Sequence, residues 1–138
     1  MALFPKRQRK LSVQALAHLH KHGSVVFHHP YKIFYQITPT PTGSRSECKI
    51  VISVSKRNFK RAVDRNRIKR QIREAFRFHN STLNQELSAR NMQLDLLCLY
   101  LPHEHLATSH FFGKMESLLA KIVRLVTKVD AVATSGTD

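Results

Sequence analysis

The apolar positions of this 138-residue chain switch between two periods. "CKIVISVS" (48–55) alternates, with Ile50, Ile52 and Val54 on one side and Lys49, Val51 and Ser53 on the other. That alternation predicts a strand. "SVVFHH" and "YKIFYQI" are rich in β-branched and aromatic residues, and Pro30 divides them. They predict a short strand at 24–28 and a longer one at 31–37. "LDLLCLYL" (94–101) predicts a buried strand stopped by Pro102. Two other segments repeat at about 100° per residue, the helical period. In residues 62–78, Ile68, Ile72, Ala75 and Phe76 share one side. In residues 109–129 the apolar side holds Phe111, Phe112, Met115, Leu118, Leu119, Ile122, Leu125, Val126 and Val129. Lys114, Lys121, Arg124 and Lys128 fall on the other side of that second helix. A shorter stripe, Leu11, Ala15, Leu16 and Leu19, predicts a helix capped by Ser12, running to about His22 and ended by Gly23. "TPTPTGSRSE" (38–47) reads as a hairpin loop, and the polar "HNSTLNQELSARNMQ" (79–93) as a second loop.

The element order is therefore α-β-β-β-α-β-α, a single α/β sandwich. The strand–helix–strand unit over 49–55, 62–78 and 94–101 implies a parallel pair within a mixed four-stranded sheet. One domain over 11–129 follows, preceded by a basic arm at 1–10 and followed by a flexible tail at 130–138.

Composition sharpens this picture. Hydrophobic residues make up 42% of the chain, enough for a folded core. The 23 Lys and Arg stand against 9 Asp and Glu, a formal net charge of +14. Such an excess points to a polyanionic partner. The start "MALFPKRQRK" lacks the apolar stretch of a secretory signal, and no apolar run is long enough to span a membrane. Cys48 and Cys98 form no CxxC pair, so a reduced, cytoplasmic chain is the simplest reading.

The charge is concentrated. From Lys56 to Arg73 there are nine Lys or Arg and one acid, Asp64, a net +8. Asn66, Arg70, Arg73 and Arg77 share the side opposite the apolar stripe, flanked by Arg67 and Lys69. Like charges at i and i+4 cost a few tenths of a kcal/mol per pair. Such concentration without neutralisation suggests a polyanion that supplies the missing charge. Arg adds a planar fork for phosphate and base edges. Asn66, between two arginines, either reads a polar group or makes a local hydrogen bond at the helix start.

"ISVSKRNFKRAVDRNRIKRQIREAFR" closely resembles the protein component of bacterial ribonuclease P. Arg65-Asn66-Arg67 matches that family's Arg-Asn-Arg motif, and the likeness extends to "FYQI", "LDLLCLYLP" and the last helix. The resemblance implies an RNA-binding subunit of an endoribonuclease, a hydrolase that removes the 5′ leader of precursor tRNA. In that family a large RNA carries the catalytic Mg²⁺ ions, so no protein side chain is expected to be catalytic or to bind a metal. The partners implied are the ribonuclease P RNA and the precursor tRNA leader, with no membrane and no protein partner required. Lys56, Arg57, Lys60, Arg61, Arg65, Asn66, Arg67, Lys69, Arg70 and Arg73 are expected to face the catalytic RNA. A cleft between the first helix and the sheet is expected to take the leader, lined by Leu16, His20, Tyr31, Ile33, Tyr35, Ser53 and Ser55. By period two, Tyr31, Ile33 and Tyr35 share one strand face, which is either that cleft or the core. The family's strand–helix–strand crossover is left-handed, against the usual rule. The chain departs from many relatives at Phe59-Lys60-Arg61, where they carry Gly-Asn, and at Leu16 and His20, where they often carry Phe.

Other chemistry is weakly represented. The nine acids are scattered, with no pair suited to a metal-dependent nuclease. His18 and His22 stand four apart and His103 and His105 two apart, without a third ligand at recognisable spacing. A helix-turn-helix is absent, because a strand precedes the basic helix. The rival reading is a general basic RNA-binding or ribosome-associated module with no nuclease role.

Overall fold

The computed structural model describes residues 12–43 and 46–135. The basic arm expected at 1–10 lies outside them. Helix α1 (Val13–His22) starts where Ser12 accepts a hydrogen bond from the Ala15 amide, 3.0 Å away. Gly23 ends it, donating its amide to Leu19 O at 2.8 Å. A Cβ at Gly23 would lie 2.4 Å from that same oxygen, so only glycine fits there. Strands β1 (Ser24–His28), β2 (Tyr31–Pro39) and β3 (Cys48–Val54) follow, then helix α2 (Ala62–His79).

Strand β4 (Met92–Tyr100) and helix α4 (Thr108–Ser135) complete the chain after one addition to the expected order. Residues 79–93 do not form a loop throughout: Ser81–Arg90 is a helix, α3, with Leu83 and Leu87 fully buried. Two leucines one turn apart suffice, because α3 needs only a narrow seam against α4 and β4. Asn91 then turns the chain into β4 through a left-handed conformation, φ 52° and ψ 47°, which asparagine tolerates better than most residues. Helix α4 also runs past the expected end at 129 to Ser135, through Ala131 and Ala133, with no breaker before Gly136. Residues 130–135 of the expected tail are thus helical, and 136–138 lie outside the described residues.

The strands lie in the order β1-β2-β4-β3. β1–β2 and β2–β4 are antiparallel, and β3–β4 is parallel, as the strand–helix–strand unit requires. Helices α2, α3 and α4 cover one face of the sheet. That core holds Tyr31, Ile33, Ile50, Ile52, Leu94, Leu96, Ile68, Ile72, Phe76 and Phe111, among others. α1 covers the other face with a smaller cluster of Leu19, Phe34 and Leu97, joined by Leu16, Val51 and Leu99. Adjacent residues of β4, Leu96 and Leu97, therefore serve opposite cores.

Two tyrosine hydroxyls tie the core to α4. Tyr31 donates to Phe111 O at 3.2 Å. Tyr100 donates to Glu104 O at 2.6 Å and accepts from the Leu106 amide at 3.2 Å, which fixes the link between β4 and α4.

Candidate RNA-binding surfaces

The first surface is built on α2. Burial of Ile68, Ile72, Ala75 and Phe76 against the sheet fixes the rotation of the helix. Asn66, Arg67 and Arg70 are consequently exposed, with Lys69 and Arg73 half-buried at the flanks. Lys56, Arg57, Lys60 and Arg61 are exposed on the link from β3. The helix starts without a side-chain cap. Asp64 in its first turn suits the positive end of the helix dipole, and it sits 3.9 Å from Arg61 in an exposed ion pair.

Arg65 behaves differently from its neighbours. Its Nη1 donates to both Phe59 O and Lys60 O, each at 2.9 Å. The first arginine of the Arg-Asn-Arg motif thus pins the loop that precedes the helix. Arg67 and Asn66 project outward instead. Among the described residues, the Asn66 side chain makes no hydrogen bond, so the helix-start alternative for it does not hold.

A cavity of about 300 Å³ opens beside this face, lined by Phe59, Asp64, Arg67, Ile68, His103, Glu104 and His105. His105 also hydrogen-bonds Gln71 and packs on Phe111. Burial, then the charge of Arg67, lower the pKa of His105, with Asp64 opposing.

The second surface is the sheet face under α1. Strand register places Phe27, Lys32, Leu99 and Ser53 in one row across the four strands, and Val25, Phe34, Leu97 and Val51 in the next. His20 lies over Phe34, and Lys32 Nζ sits 5.2 Å from the ring centres of both Phe27 and Phe34. Leu16, His20 and Ser53 meet here, while Ser55 lies exposed just beyond β3 with its Oγ accepting the Arg57 amide at 3.1 Å.

Tyr31, Ile33 and Tyr35 do not line this cleft. They share a face, as period two requires, but it is the opposite one. Tyr31 and Ile33 are buried in the main core, and Tyr35 packs against it half-buried. Three helices on that side need the bulkier row, and the Tyr31 hydroxyl is satisfied inside by Phe111 O. Phe27, Lys32 and Phe34 take their place in the cleft. The alternation of β2 carries the signal: Tyr31, Ile33, Tyr35 and Ile37 share the core side, while Lys32, Gln36 and Thr38 mark the other side as the more polar one, with Phe34 as its large apolar residue.

His18 and His22 rings stand 5.0 Å apart. Among the described residues, no group of three His, Cys, Asp or Glu side chains is placed to hold a metal ion, and no helix is long and apolar enough to cross a membrane. Cys48 and Cys98 are free and buried, and burial raises both thiol pKa values.

The Ribonuclease P family model matches residues 4–123. This chain belongs to the ribonuclease P protein family. It is 30% identical over 82 residues to the ribonuclease P protein component of Porphyromonas gingivalis, a match covering 59% of this chain and 58% of that protein. It is 32% identical over 106 residues to the corresponding component of Chlorobium phaeobacteroides, covering 71% and 68%. Among solved structures, the RNase P protein of Staphylococcus aureus shares its fold, with a TM-score of 0.62 and 24% identity over 85% of this chain and 95% of that one. The exposed Asn66 and Arg67 belong to the segment that the ribonuclease P family match spans.

Proposed function

We propose that this chain is the protein subunit of ribonuclease P and acts in the cytoplasm. It holds the catalytic RNA on α2 and the single-stranded 5′ leader of precursor tRNA in the α1 cleft. Endonucleolytic removal of the leader is then assigned to Mg²⁺ ions on the RNA, with no protein side chain taking part in the chemistry.

The observation that carries this reading is the exposure of Asn66, Arg67 and Arg70 on the outer face of α2, with Lys56, Arg57, Lys60 and Arg61 exposed on the link before it, in a chain of this family. Phosphates supply the charge that the face lacks. The cleft supports the second half of the reading. Exposed Phe27 offers a stacking surface for a base, Lys32 tracks a phosphate, and Ser53 adds a hydroxyl in the same row. Stacking on aromatic faces tolerates any base, which suits leaders of varied sequence.

The test is cleavage of precursor tRNA at low magnesium by the protein alone, by its ribonuclease P RNA alone and by both. Efficient cutting at the mature 5′ end only by the combination supports the proposal. Tight RNA binding without stimulated cleavage would favour a general RNA-binding module instead.

A further inference from the structure

The cations of α4 lie apart from both surfaces. At about 100° per residue, His110, Lys114, Lys121, Arg124 and Lys128 fall within an arc of about 80° on one flank of the helix, and Glu116 lies outside it. Among the described residues, none of Lys114, Lys121, Arg124 and Lys128 forms an ion pair. Lys114, Lys121 and Lys128 repeat every seven residues, about 10 Å apart along the axis.

The flank faces the edge strand β1. His28 shares the core-side parity of Val26. Its pKa is lowered by burial and then by the charges of Lys121, Lys114 and His29. The Nε2 atoms of His28 and His110 are both buried without a hydrogen-bond partner, and His110 lies edge-on to His29 at 6.5 Å. Two lysines, two unpartnered imidazole nitrogens and the open edge of β1 therefore gather in one place. β1 and β3 are the two outer strands, and α2 packs on β3. The α4 flank and the α2 face thus mark opposite ends of the sheet.

We infer that the α4 flank, centred on Lys114 and Lys121 and bordered by His28 and His110, is a further binding site for the phosphodiester backbone of an RNA helix. The inference rests on the RNA partnership proposed above but concerns a different surface. A straight row of lysines with no exposed aromatic side chain among them suits backbone charge rather than unstacked bases. The RNA helix comes either from a second arm of the catalytic RNA or from the body of the precursor tRNA.

The test compares wild type, Lys114→Ala/Lys121→Ala and a charge-matched control, Gln85→Glu/Ser88→Glu, which adds two acids at exposed positions of α3. Each full-length protein is titrated with its ribonuclease P RNA over a range of salt, and each reassembled holoenzyme with precursor tRNA. Unfolding temperatures verify that all three fold. The expected result is a salt slope lower by roughly two for the lysine variant with one of the two RNAs, the control keeping the wild-type slope. The RNA that shows the loss is the source of the helix. Equal changes in both double variants, or a wild-type slope for the lysine variant with both RNAs, would overturn the inference. Arg70→Ala run alongside separates the two proposals: a loss there with an unchanged lysine variant removes the α4 site while leaving the RNA reading intact.

Discussion

The imidazole of His20 on α1 lies over the ring of Phe34 on β2, with ring centroids 4.9 Å apart. This contact closes one side of the cleft and leaves Phe27 and Lys32 as its open part. Phe27 is 62% exposed, so its truncation removes a stacking surface without opening the core. Phe27→Ala is expected to weaken holoenzyme binding of precursor tRNA by about 1–3 kcal/mol and to leave mature tRNA binding unchanged. Paired titrations with and without a leader check this. Equal losses for both RNAs would remove Phe27 from the leader site.

Two arginines of α2, Arg65 and Arg70, separate structure from binding. Arg65→Ala removes both carbonyl contacts at Phe59 and Lys60 and is expected to cost about 1–3 kcal/mol of stability. Denaturant unfolding measures it. Arg70→Ala is expected to leave stability unchanged and to lower the salt slope of RNA binding by about one. If Arg65→Ala unfolds at the wild-type midpoint, its hydrogen bonds do not hold the loop.

Ile72 is fully buried between α2 and the sheet. Ile72→Asp places an unpaired carboxylate there and is expected to abolish the folded state, because such burial costs several kcal/mol. Circular dichroism and unfolding curves show the outcome; a cooperative transition near that of wild type would contradict the core placement.

Stability is expected to depend on His28 and His105. Both have folded-state pKa values lowered from 6.5, chiefly by burial. The unfolded chain therefore binds more protons as pH falls below about 6.5, so stability is fully present above that value and is lost on acidification. A melting-temperature series from pH 7.5 to 5.5 should decline in wild type and decline less in His28→Gln/His105→Gln. Parallel curves would assign the acid sensitivity to other groups.

The elements that read clearly from sequence are those with one apolar face. Ile50, Ile52 and Val54 alternate cleanly, and Ile68, Ile72, Ala75 and Phe76 leave the opposite side of α2 to Asn66 and a majority of cations. Helix α3 was illegible because Leu83 and Leu87 are its only buried residues, set among polar ones. The face of β2 was harder to assign because Phe34 is buried in the second core, opposite Tyr31 and Ile33, although Lys32, Gln36 and Thr38 mark its parity as the more polar one. The cationic face of α2 followed directly from helical spacing. The inward commitment of Arg65 did not, because it depends on where the Phe59 and Lys60 carbonyls turn.

Strand β4 is paired on both edges, and its neighbouring leucines serve both cores. Its amides around Leu96–Cys98 should therefore exchange with solvent deuterium only when the whole molecule opens. RNA gripping either rim would then slow exchange at the edge strands first, and the centre would report global unfolding alone.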